Sequence, residues 1–174
     1  AARFYAAGKH KEMSETVHTS ITFALISGIA MAFIGVIFSK AALQLMDTPT
    51  DVINLSTIYM RIYFLGMPFF MLYNYGAAIL RAVGDTKRPL IFLIISGCVN
   101  AALNMILVIV FNLGVAGVAI GTVASQMMSC ILVLICLCRS EGSYKLSLKK
   151  LTIKKASGKS IFQVGIPEGI QSTV

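Results

Sequence analysis

Four stretches of this chain, residues 17–38, 58–80, 90–113 and 115–138, each run for 22 to 24 residues almost without charge. A helix rises about 1.5 Å per residue, so roughly 20 residues cross a hydrocarbon core of about 30 Å, whereas a core helix of a water-soluble domain is usually shorter and two-faced. Inside lipid every backbone donor and acceptor must be satisfied within the segment, which helices achieve. The four stretches therefore predict an all-α polytopic membrane bundle. With 57% hydrophobic and 13% charged residues, the composition lies outside the range of ordinary soluble domains.

The formal charge of +8 raises the possibility of a nucleic-acid partner, but the basic residues are sorted by link rather than gathered on one face. Arg3, Lys9 and Lys11 precede the first stretch, Lys40 follows it, and Arg81, Lys87 and Arg88 lie before the third. The link at 112–116 carries none, and seven basic residues lie between Arg139 and Lys159. Alternation of rich and poor links is the positive-inside pattern, which puts the first, third and fifth on the cytoplasmic side of a cell membrane and makes no nucleic-acid partner expected. Arg61 is the one basic residue within a stretch; it either snorkels to the outer headgroups or serves as a gate or substrate contact.

Position 1 is not Met, Ala1-Ala2-Arg3-Phe4-Tyr5 reads as the tail of an earlier helix, and 161–174 reads as a helix entering the membrane that stops before crossing. The expectation is an internal piece of a larger protein, with residues 139–160 as a basic cytoplasmic link. That link interleaves lysines with Tyr144, Leu146, Leu148, Leu151 and Ile153, a pattern suited to an anionic lipid surface. Cys98, Cys130, Cys136 and Cys138 all fall in the spans and are expected as free, packed thiols. Cys136 and Cys138, two apart on a helix, point in nearly opposite directions, which is no arrangement for a metal.

Local signals set the connections. Asp47, Pro49 and Asp51 mark an outer turn within 39–53, and Gly84 suits the left-handed end of a helix. Asp85 or Thr86 can cap the next helix, with Pro89 in its first turn. Pro68, in Gly66-Met67-Pro68, should kink the second span. The short link at 112–116 demands a tight antiparallel hairpin, and Gly117, Gly121 and Ser125 recur every fourth residue as a face that another helix can approach closely.

No Asp, Glu or His lies in the middle of a complete span: His18 is at the mouth of the first, and Glu168 is in the truncated last. An enzyme is not expected, since no acid, base or metal site can be assembled, and no cofactor is called for. The spans carry uncharged polar groups instead. Ser96, Asn100 and Asn104 share one face of the third, and Thr122, Gln126 and Ser129 one face of the fourth. Asn104 lies ten residues before Gly114 and Thr122 eight after it, so the two sit at similar depth. Their oxygens suit a hard cation such as Na⁺ or a polar substrate group; the alternative is simple interhelical hydrogen bonding. Met67, Met71, Tyr73 and Asn74 on the second span, with Gln126 and Glu168, are candidates to line a cavity for hydrophobic or cationic molecules, although such surfaces equally suit lipid.

Three ordered blocks carry a resemblance: Tyr59-x-Arg61-Ile62 through Gly66-x-Pro68; Arg81-Ala82-x-Gly84-Asp85-Thr86-Lys87-x-Pro89; and Gly114-Val115-Ala116-Gly117-Val118-Ala119-x-x-Thr122-x-x-Ser125-Gln126. Together they resemble the multidrug and toxic compound extrusion (MATE) exporters. The resemblance implies part of a twelve-helix, two-lobe transporter: the end of helix 2, helices 3 to 6, the link between lobes and the start of helix 7, with 1–138 in the N-terminal lobe and 161–174 opening the C-terminal lobe. It also implies secondary-active multidrug efflux by Na⁺ or H⁺ antiport. A lipid-linked saccharide flippase of the same superfamily and a non-transporting membrane fragment are the rivals. The family's N-lobe cation site draws on an Asp of helix 1, outside this chain, an Asn matched by Asn100, and a Thr matched by Thr122. Asn104 stands where that site often has Asp, and an amide carries neither a proton nor a negative charge.

Overall fold

The computed structural model describes residues 1–140, 142 and 144–147. Six helices follow one another: α1 (Ala2–Ala6), α2 (His10–Leu45), α3 (Ile53–Leu65), α4 (Met67–Ala82), α5 (Lys87–Met105) and α6 (Gly114–Arg139). Among the described residues three elements are long and apolar enough to cross a membrane, His10–Leu45, Lys87–Val110 and Gly114–Arg139, and α3 with α4 makes a fourth if the bent pair is one span. The fold is the membrane helical bundle that the charge-free stretches demand.

Helix α2 outruns its apolar stretch at both ends. Its 36 residues correspond to about 54 Å, more than a hydrocarbon core, because hydrogen bonding carries a helix on past the point where the side chains turn polar. Lys40 is thus helical, and the link after α2 shrinks to the turn at 46–52, where Asp47 takes φ 50°. The second span is broken rather than gently kinked: α3 and α4 meet at 44°. Pro68 has no N–H to give the carbonyl four residues back, and the amides of Phe69 and Phe70 both turn to the Gly66 carbonyl at 3.1 Å.

Glycines let the bent pair nest between its neighbours. A Cβ on Gly28 of α2 would stand 2.6 Å from Pro68 Cα, and one on Gly66 would stand 2.8 Å from Val123 Cγ2 and 3.0 Å from Gln126 Oε1 of α6. Gly35 likewise accommodates the Phe64 ring, and Gly76 the Val133 side chain. Where lipid is as apolar as the side chains, close packing of this kind is what holds helices together. The tightest cluster lies towards the cytoplasmic end predicted by the basic links, where Met13, Val17, Leu80, Val133, Leu137 and Leu146 are almost wholly buried. By contrast α5 turns Leu90, Ile91, Ile94, Met105 and much else outward, and is held mainly by α6.

The α5–α6 hairpin is tight. After Met105 the helix widens into a π-helical stretch, Ile106–Val110, in which Phe111 N–H reaches the Ile106 carbonyl at 3.2 Å. Asn112 and Gly114 then adopt left-handed backbone, φ 52° and 53°, which Asn tolerates and Gly adopts freely. At the other end of α5, Gly84 has φ 89° as its position demands, and Asp85 Oδ1 accepts the Arg88 N–H at 3.2 Å. Thr86 occupies the cap position without a side-chain cap bond. Glu168, the span start at 161–174 and most of the basic link lie outside the described residues.

Candidate functional site

Asn100, one turn below Asn104 on α5, faces α6, where Thr122 and Ser125 occupy adjacent positions of one face. Asn100 Nδ2 donates to Thr122 Oγ1 at 3.4 Å and to Ser125 Oγ at 3.2 Å, while its Oδ1 accepts from Asn104 Nδ2 at 3.2 Å. One turn further down, Ser96 Oγ donates to the Ser125 carbonyl at 2.8 Å. Thr122 and Ser125 hydroxyl protons go back to the carbonyls of Val118 and Thr122 in their own helix, which frees their lone pairs for Asn100. A continuous polar seam, with no formal charge, thus closes the hairpin.

Asn104 Oδ1 is buried and has no hydrogen-bond partner. It lies against Gly121, and any Cβ there would collide with it. A buried acceptor left unmade costs about 1–3 kcal/mol, so this oxygen is the part of the seam that a further donor or a cation would stabilise most. Asn104 does not reach Thr122 directly, as equal depth had suggested. The pairing is Asn104 to Gly121 and Asn100 to Thr122 and Ser125, because the widened stretch after Met105 adds a residue on the α5 side of the turn. Asn100 is the bridge that joins the two predicted residues.

Beside the seam lies a cavity of about 360 Å³ between α4, α5 and α6. Phe70, Tyr73 and Leu93 form its apolar side; Ser96, Asn100, Thr122, Ser125, Gln126 and Ser129 form its polar side. Tyr73 is fixed by its hydroxyl, which donates to the Pro89 carbonyl at 3.1 Å. Of the residues predicted to line a cavity, Tyr73 and Gln126 do so. Met67, Met71 and Asn74 do not: Met71 packs beside the apolar core, and Asn74 returns its amide to the Phe70 carbonyl at 2.8 Å. Phe70 and Tyr73, three apart, share the face of α4 that meets the cavity, and the sequence does not say which face of this helix turns inward. Arg61 is exposed and is not among the lining residues. Among the described residues no three His, Cys, Asp or Glu side chains gather as metal ligands, and all four cysteines are free, Cys98 being exposed rather than packed.

Ser125 was legible only as a small residue for close approach; its hydroxyl also takes part in the seam. The signal was its position three residues after Thr122 on the same face.

A polytopic helical membrane protein with an uncharged polar seam beside a cavity is the class that fold and site define. The MatE family model matches residues 1–106. The chain is 39% identical over 125 residues to the probable multidrug resistance protein YoeA of Bacillus subtilis, covering 70% of this chain and 27% of that one. It is 32% identical over 152 residues to the probable multidrug resistance protein YpnP of the same organism, covering 86% and 34%. An inward-facing multidrug resistance MATE family transporter of the MOP superfamily superposes with a TM-score of 0.88 at 22% identity, over 95% of this chain and 38% of that one. A MOP superfamily transporter from Pyrococcus furiosus, described as having a binding pocket of reverse polarity, superposes at 0.85 and 22% identity, over 97% and 37%. The chain belongs to the MATE family. It spans only about a third of the length of these relatives.

Proposed function

We propose that the chain is part of the N-terminal lobe of a secondary-active exporter in the cell membrane, which moves hydrophobic or cationic compounds outward against an inward flux of Na⁺ or H⁺ by alternating access. The lobe assignment covers residues 1–138, with 139–160 as the link between lobes and 161–174 as the start of the second. The observation that carries the reading is the buried, unpartnered Asn104 oxygen at the head of the Asn100–Thr122–Ser125 seam, next to a cavity with an aromatic wall. Asn100, Asn104 and Thr122 would supply neutral oxygens to the coupling ion, and a carboxylate from elsewhere in the full-length protein would supply charge. Tyr73 and Gln126 are the substrate contacts that the cavity favours.

Neutral amides suit Na⁺ better than H⁺, since none of these three side chains titrates in the working range. The flippase alternative calls for cationic groups facing the cavity, and the lining residues carry none. The test is efflux from vesicles containing the full-length protein under separately imposed Na⁺ and pH gradients. Asn104→Ala should lower Na⁺-driven efflux at equal expression. Ion dependence unchanged in that variant would leave the seam as interhelical hydrogen bonding alone. Absence of flux under either gradient, in wild type, would favour the non-transporting reading.

A further inference from the structure

At the other end of the bundle, His18 is 6% exposed and uses both ring nitrogens on main-chain atoms. Nδ1 lies 2.7 Å from the Ser14 carbonyl, one turn back on α2, and Nε2 lies 3.0 Å from the backbone N of Ser147, on the segment that leaves α6. A carbonyl only accepts, so Nδ1 carries the proton. An amide N–H only donates, so Nε2 must present its lone pair. The pair of contacts fits one species, the neutral imidazole with hydrogen on Nδ1.

The segment that His18 holds is itself laid into the bundle. Leu146 is 2% exposed and belongs to the core with Met13, Val17, Leu80 and Leu137, and its N–H donates to the Leu137 carbonyl at 3.1 Å. Tyr144 meets Tyr5 of α1 edge to face at 6.3 Å. Ser147 is the last described residue of this run, and its N–H has the His18 ring as partner. We infer that His18 is a proton-sensitive latch: neutral, it pins the segment leaving α6 to the mouth of α2; protonated, it sets Nε2–H against the Ser147 N–H and releases it.

The charged and titratable groups at this end include Lys9, His10, Lys11, Glu12 and Glu15 beside or on α2, Arg3 and Tyr5 on α1, Arg81 at the end of α4, and Asp85, Lys87 and Arg88 where α5 begins, with Arg88 reaching Cys136. Cys136, Cys138 and Arg139 close α6, and Tyr144 and Lys145 belong to the segment. Both ring nitrogens are already committed to main-chain atoms, so protonation breaks a contact instead of making one. The neutral ring holds the segment and the protonated ring cannot, so the latch closes on the alkaline side and opens on the acid side. Under the reading proposed above, the segment begins the link between lobes, and its release would answer to cytoplasmic acidification. The latch itself does not depend on transport.

Hydrogen–deuterium exchange of the full-length protein in nanodiscs, read at the Ser147 amide and corrected for intrinsic rates, tests it. Wild type should be protected at about pH 8 and exchange about fivefold faster at about pH 5, the loss of one net hydrogen bond. His18→Gln, whose amide oxygen can accept from Ser147 N–H without titrating, should stay protected at both pH values. His18→Phe should be open at both. Peptides from α5 and α6 report whether a variant has folded, and the wild-type pH comparison needs no variant. Equal protection of wild type at the two pH values, or a His18→Gln profile that follows wild type, overturns the latch. Loss of efflux with the latch profile intact would instead count against the transporter reading.

Discussion

Replacing Gly121 by Ala puts a methyl group where Asn104 Oδ1 now sits, with Asn104 Cγ at 3.3 Å and Asn104 N at 3.4 Å as the next contacts. The amide must rotate away, which takes Nδ2 off Asn100 Oδ1 and separates α5 from α6 locally. Overpacking of a close contact costs about 1–3 kcal/mol, and one interhelical hydrogen bond in a membrane contributes about 0.6 kcal/mol. Gly121→Ala in the native background should therefore destabilise by about 2 kcal/mol. In an Asn104→Ala background the colliding oxygen and Cγ are gone, only the backbone nitrogen at ordinary contact distance remains, and the same substitution should cost close to nothing. The coupling in the four-variant cycle is then at least about 1 kcal/mol, well above the additivity error of distant sites. The assay is reversible unfolding of the full-length protein in mixed micelles against denaturing detergent, followed by circular dichroism. Additive costs, with Gly121→Ala equally damaging in both backgrounds, would refute the placement of Asn104 against Gly121.

At the helix break, Gly28→Ala should lower the detergent-unfolding midpoint by an amount equivalent to about 1–3 kcal/mol, because its Cβ meets Pro68 backbone, which cannot rotate aside. Gly35→Ala should be rescued by Phe64→Ala, whose ring fills that site, whereas Gly28→Ala should not be rescued by any side-chain truncation on α4. Asn104→Asp should make efflux steeply pH-dependent in the vesicle assay, since a carboxylate placed beside another titrates at raised pH; a flat profile would argue that no second carboxylate approaches this position. Cysteine placed at Lys40 should react on intact cells with an impermeant thiol reagent while cysteine at Lys149 stays protected, and the reverse pattern would invert the topology.

The membrane class, the all-helical fold and the hairpin of α5 and α6 were legible in the chain itself. Length without charge, basic residues sorted by link, and Gly or Pro at turns are local or additive signals that need no partner. So were Asn100 and Thr122, because periodicity puts polar residues on a face whatever that face meets. Pairing was not legible. That Asn104 abuts Gly121 while Asn100 spans to Thr122 and Ser125 depends on a widened turn after Met105, and no residue in Ile106–Val110 announces it, all five being ordinary apolar residues. Pro68 announced a bend, but its 44° and the choice of the Phe70–Tyr73 face rather than that of Met67 and Met71 for the cavity are seen only in the packed bundle. The contact of His18 with Ser147 joins residues 129 positions apart. Helix periodicity decides which side chains share a face; only the close approach of one helix to another decides which atoms meet across it.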